Sequence, residues 1–310
     1  MIGEIFALLG ACVISAGNVS IRRGMRRAHD SGVFISTFIS AATFVLLLII
    51  LWIRRSLPPL TLLGFLLFVS AGLLTSFAGR SLHYAAIRAL GPSRATSIRC
   101  SSPIVTICLA FLFLSERFSF AQFIGASAIL GGVIFLTRET VGRTDLGVPM
   151  DPSFASNDSP SSQKPSFIGI LYALAAALSF GTGHFLRKLA LKEVPSPYWG
   201  LALGTAAAWL TLTWHAASRG KLKALWRNNF NLREPPWFFI AGGFLTTTGV
   251  LFVYLAIFFT EVSTAMVIES SEPLATLFIS RLFLGREEPL NWRVMACSTS
   301  VCCGLALMIL

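Results

Sequence analysis

Charge is what this 310-residue chain has least of: Asp, Glu, Lys and Arg together make up 13% of it, about half of the roughly 25% usual in soluble domains. With 55% hydrophobic residues and a mean hydropathy of +0.73, it has too little polar surface to cover a water-soluble fold, and the lipid bilayer is its solvent. Asp is missing from every long apolar run and no HExxH pattern occurs. No Ser-His-acid set lies on neighbouring runs either, so an intramembrane enzyme acting on lipid or peptide stays only the alternative reading, without a metal cluster to serve it. All six cysteines, Cys12, Cys100, Cys108, Cys297, Cys302 and Cys303, fall inside apolar runs. They form no framework outside the membrane and no CxxC pair, which argues for packing residues rather than disulfides. A leader with a basic start is missing too: Met1-Ile2-Gly3-Glu4 runs directly into the first apolar segment.

What is present is length. A crossing needs about 20 mostly apolar residues, and ten such segments are predicted: Gly3–Ile21, Val33–Ile53, Leu60–Tyr84, Ala95–Leu114, Phe118–Leu136, Phe167–Phe185, Tyr198–Ala217, Trp237–Phe259, Ser263–Leu284 and Trp292–Leu310. Trp52, Trp199, Trp214, Trp237, Trp292 and Tyr198 sit near their ends, as interfacial aromatic belts do. The long polar stretch Thr137–Ser166, rich in Ser, Pro and Asp, cannot bury a core and reads as a flexible linker over 137–166.

The two sides of that linker resemble each other. Shifted by 166, Ile2-Gly3, Ala7-Leu8 and Gly17 fall on Ile168-Gly169, Ala173-Leu174 and Gly183. Shifted by 170, Ala71-Gly72, Gly79, Tyr84, Ala86-Ile87, Ser93, Ala95 and Pro103 fall on Ala241-Gly242, Gly249, Tyr254, Ala256-Ile257, Ser263, Ala265 and Pro273. The fold class expected is therefore an all-α integral membrane protein whose ten transmembrane helices form two five-helix repeats, residues 1–136 and 167–310. Five is odd, so the second repeat enters the membrane from the opposite side and the repeats are inverted.

The net charge of +11 is spread over short loops rather than gathered on one face, which argues against a nucleic-acid partner. Most Lys and Arg follow odd-numbered crossings, and by the positive-inside rule both termini lie outside the plasma (inner) membrane. Arg187 and Lys188, beyond the predicted end of the sixth crossing, read as interfacial anchors.

The stretch Tyr84-Ala85-Ala86-Ile87-Arg88-Ala89-Leu90-Gly91-Pro92-Ser93-Arg94-Ala95, followed by Ser102-Pro103, Leu112-Phe113-Leu114-Ser115-Glu116 and Gly125 to Gly132, resembles the EamA-type repeat of the drug/metabolite transporter superfamily. The second half repeats it with Tyr254-Leu255-Ala256-Ile257, Glu272-Pro273, Leu282-Phe283-Leu284, Glu287-Glu288 and Gly304. The resemblance covers nearly the whole chain. It implies a secondary transporter of small metabolites, such as amino acids, sugars or drug-like solutes, working by alternating access without a cofactor. Two features depart from the family: the charge count opposes its usual cytoplasmic termini, and the fourth and ninth helices carry unusual charge in Arg99, Glu269 and Glu272.

Those charges are the candidate site. An ionised acid at mid-bilayer costs at least roughly 2.5–3.5 kcal/mol on insertion scales, so Glu272 needs a partner, a wet cavity or a proton. Glu269 is one turn earlier on the same face, and the two carboxylates compete for one proton. Either the pair binds a cationic group or a coupling proton, or it forms a structural salt bridge to Arg99, with Glu269 at the position matched to it. Arg80 and His83 in the third crossing, His184 after Gly181-Thr182-Gly183, and Asn18, which follows Gly17 in the matched place, are further substrate- or proton-binding candidates. Pro103 and Pro273 each remove a backbone donor and are expected to kink their helices. The small-residue ridges of the closing helices, Ser127 with Gly131, Ala128 with Gly132, and Ala296 with Ser300 and Gly304, allow close packing within the chain or in a homodimer.

Overall fold

A computed structural model describes residues 1–25, 33–90, 98–99, 101–114, 123–132, 167–220 and 237–272, with isolated positions elsewhere between 120 and 307. The linker at 137–166, Pro273 and the side chain of Asn18 lie outside the described residues.

Every regular element described is helical. In chain order they are α1 (Ile2–Met25), α2 (Val33–Ile53), α3 (Leu62–Gly72), a π-helical segment (Leu73–Gly79), α4 (Arg80–Leu90), α5 (Ser102–Leu114), α6 (Phe123–Gly132), α7 (Phe167–Glu193), α8 (Pro197–Ser218), α9 (Trp237–Phe259) and α10 (Val262–Glu269). Among the described residues, the helical stretches Phe34–Ile53, Leu62–His83, Phe167–Glu193 and Trp237–Phe259 are long and apolar enough to cross a membrane, and Ile2–Gly17, Ser102–Leu114 and Phe123–Gly132 are shorter apolar helices. Their ends carry local signals. Thr61 accepts from the Gly64 amide at 3.0 Å to cap α3. Pro197 opens α8 where its missing N–H is no loss, and Gly220, at φ +65°, turns the chain away beyond it.

Large apolar side chains face outward: Trp52, Ile53, Leu46, Phe111, Leu112, Trp214 and Trp237 are all exposed. In water this would be one continuous sticky surface, so it is read as the lipid face. The interior is built instead from Ala and Gly, with Ala7, Ala11, Ala71, Ala173, Ala176 and Ala256 buried. Bilayer helices gain from close backbone approach rather than from removing apolar area from water. A Cβ on Gly72 would stand 2.2 Å from the Gly204 Cα, and one on Gly249 would stand 2.4 Å from Ile14.

The neighbours form a pattern. Helix α1 packs most extensively on α9, and α7 on α3, the π segment and α4; α2 packs on α8, and α5 on α10. The second tier pairs α1 with α10 and α5 with α7, then α2 with α9 and α3 with α8. Replacing each helix by its counterpart five predicted crossings away returns the same set of pairs. Close contacts repeat as well: Gly17 lies against Thr246 and the Gly242 carbonyl, and Gly183 against Thr75 and the Ala71 carbonyl. The closing helices meet through their small residues, with Gly304 against Gly125 and Ile129 and Ser300 donating to the Ala128 carbonyl at 3.2 Å. The ridges that carry Ala128, Ser300 and Gly304 thus serve packing within the chain, whereas Ser127 and Gly131 are exposed.

Two local features depart from the expected continuous helices. The third crossing passes through the π segment, which holds one more residue than its counterpart: Gly183 and Phe180 meet Thr75 and Gly79, whereas Gly17 and Ile14 meet Thr246 and Gly249. A single-residue insertion is how a π turn enters an α-helix. The fourth and ninth crossings are broken rather than kinked. Ser101 and Ser271 each donate twice to the carbonyl three residues back, through the amide at 3.1 Å and the hydroxyl at 2.7 Å, to Ile98 and Ile268. Pro103 therefore sits in the first turn of α5, where it costs no hydrogen bond, and not in mid-helix as expected.

Candidate functional site

The two breaks face one another across a small, partly open cavity of about 40 Å³, lined by Arg99, Ser102, Pro103, His184, Met266, Glu269, Ser270 and Glu272. Each break contributes the residues just before and after it. Interrupted helices leave polar backbone unpaired, which membrane proteins tolerate only against protein or a wet cavity.

Arg99 stands at the cavity with its Nη2 3.9 Å from Glu272 Oε2, and its guanidinium lies 5.6 Å from the centroid of the Phe180 ring. The matched position predicted Glu269 as its ion-pair partner, and the structure places Glu272 there instead. The reason is the break: the chain turns at Ser270-Ser271 and brings the next helical residue round to Arg99. Glu269 lines the same cavity, under the charges of Glu272, Arg187 and Arg99. Ser15 donates to the Glu272 carbonyl at 2.9 Å and so ties α1 to the far side of the break. On the opposite side, Gly181 lies against the Ser102 carbonyl, and Thr106 donates to the Gly181 carbonyl at 3.1 Å.

Of the expected site residues, the cavity gathers Arg99, Glu269, Glu272, His184 and Pro103. Arg80 and His83 are outside its lining, on α4, although the Arg99 charge reaches His83. Asn18 and Pro273 lie outside the described side chains.

Arg187 is the residue that the sequence reading missed. It is no interfacial anchor: only 6% of it is exposed, because α7 continues two turns past the predicted end of its crossing. Its Nη2 donates to Thr75 Oγ1 at 2.8 Å and its Nη1 approaches His184 Nδ1 at 3.3 Å. Its guanidinium lies 4.7 Å from the centroid of the Tyr254 ring. Tyr254, itself buried, donates to the Gly200 carbonyl at 3.2 Å. The available signal was spacing, since Arg187 is one turn from His184 and on its face. Lys188 points elsewhere, donating to the carbonyls of Ile257 at 2.7 Å and of Thr260. These lie at the C-terminal end of α9, whose last carbonyls lack helical partners and whose dipole favours a cation.

The chain matches the EamA-like transporter family over residues 1–138 and 167–310, nearly its whole length. It belongs to that family. The transporter also matches 23 solved chains. For one of them, described as the crystal structure of a protein, the identity is 16% and the TM-score 0.55, with 97% of this chain and 85% of the other covered. That likeness concerns the fold alone. No curated protein matches the sequence significantly. The family's members are multi-pass membrane transporters and not enzymes, so the protein acts on a small-molecule substrate within a bilayer.

Proposed function

We propose that this transporter moves a small metabolite by alternating access through the cavity between the two broken helices. The ten crossings are two inverted repeats, 1–136 and 167–310, that rock about the cavity and open it to each side in turn. What carries the reading is the meeting of two equivalent breaks around one charged cavity, Arg99 on one side and Glu269 with Glu272 on the other. The exchange of helix neighbours described above supports the repeats. Glu269 and Glu272 take a cationic group of the solute or a coupling proton, and the Arg99 contact breaks and re-forms as they do. The setting is the plasma (inner) membrane, with both termini on its outer side.

The experiment is transport in proteoliposomes loaded from a mixed metabolite pool with an imposed proton gradient, with the contents identified by mass spectrometry. Accumulation of one solute class that collapses with the gradient is the expected result. Vesicles that accumulate nothing while a lipid or peptide is cleaved would overturn the reading.

A further inference from the structure

We infer that Arg187 is a positioning residue: it fixes His184 as a single neutral tautomer whose Nε2–H is a hydrogen-bond donor in the cavity, for an oxygen acceptor on the solute. This rests on the reading of the cavity as the solute site.

A guanidinium has five donors and no acceptor. At 3.3 Å from Arg187 Nη1, His184 Nδ1 can only accept, so the one proton of the neutral ring is on Nε2. Arg187 is itself held from two other directions. Thr75 Oγ1 donates to the Ala71 carbonyl at 2.8 Å and accepts from Arg187, and the guanidinium is stacked over Tyr254, whose hydroxyl is fixed on Gly200. The guanidinium cannot swing aside without giving up the cation–π contact and a charged hydrogen bond. A second proton on the ring would set Nδ1–H against an Arg187 N–H, donor against donor and charge beside charge.

The other groups that bear on His184 come from three further segments. Arg99 precedes α5, Glu269 ends α10 and Glu272 follows the break. Arg187 blocks the ring nitrogen that would take a second proton. The cavity thus offers Arg99 and His184 as donors and Glu269 and Glu272 as acceptors. A solute that uses all four carries a carboxylate or carbonyl oxygen beside its cationic group.

The test is nitrogen NMR on protein labelled with ¹⁵N-histidine, which holds four histidines, with H184Q assigning the signal. His184 should show an unprotonated Nδ1 and a protonated Nε2 throughout pH 5 to 8, and in Arg187→Met, which removes the donor facing Nδ1, signals of both neutral tautomers should appear. Acetate, as a minimal oxygen acceptor, should move the Nε2 signal saturably, and chloride at equal ionic strength should not. A protonated Nδ1, or an imidazolium at pH 7 in the native chain, overturns the positioning role whether or not the variant folds. An Nε2 signal that acetate leaves unmoved overturns the acceptor class. If instead the tautomer and the acetate response hold while no solute crosses the vesicles, the transport reading of the cavity fails and the role of Arg187 stands.

Discussion

At the scale of single residues, the cost of charge in a bilayer made the site legible. Arg99, Glu269, Glu272 and His184 stand out as polar groups inside apolar runs, and the structure brings all four to one cavity. The pairing was not legible, because a matched position fixes depth but not which of two acids one turn apart faces across. Arg187 was hidden because the sixth crossing seemed to end at Phe185, a boundary read from falling hydropathy, whereas its charge is satisfied inside the bundle. Glu272→Gln keeps size and removes the titratable charge; it should abolish or uncouple uptake while membrane insertion, followed by protease protection, stays normal. Unchanged rate and pH dependence would deny the carboxylate a coupling role. Arg99→Ala should cost about 1–3 kcal/mol, between the worth of exposed and buried pairs, since Arg99 and Glu272 are 23% and 16% exposed. Arg99→Ala combined with Glu272→Ala should recover part of that loss in detergent thermal melts, and strictly additive losses would mean that the pair contributes nothing.

Among elements, hydropathy foretold helices but not their interruptions. Serine is unremarkable in an apolar run, yet Ser101 and Ser271 close the turns that break the fourth and ninth crossings. The π segment was equally silent, because one additional residue between Thr75 and Gly79 is smaller than the tolerance of aligning two weak repeats. Glycine spacing was informative, and its energetics can be tested where contacts differ. Gly72→Ala drives a Cβ to 2.2 Å from the Gly204 Cα. It should force α3 from α8 at a cost of about 3 kcal/mol, seen as a lowered melting temperature. Gly131→Ala meets nothing within 4 Å and should stabilise α6 by up to about 1 kcal/mol through helix propensity. Equal effects of the two substitutions would show that close approach at Gly72 is not what seats these helices.

For the molecule as a whole, the repeat read from weak identity between 1–136 and 167–310 has a counterpart in packing among the described residues, since the most extensive helix pairs return when helices are exchanged with their counterparts. Sequence carried that much because small residues at helix crossings are constrained by backbone approach, while lipid-facing positions are free to drift. The ten crossings proposed place both termini on one side, so reporter tags at Met1 and Leu310 should agree; opposite sides would remove or add a crossing. The claim on which everything else depends is that the cavity between the broken helices opens to both faces of the membrane. The direct measurement is labelling of Ser270→Cys, in a background with the native cysteines replaced, by a membrane-impermeant thiol reagent applied to one face of sealed vesicles or to the other. Alternating access predicts labelling from both faces, slowed on each by the transported solute. Labelling from one face alone, at a rate the solute does not change, would contradict it.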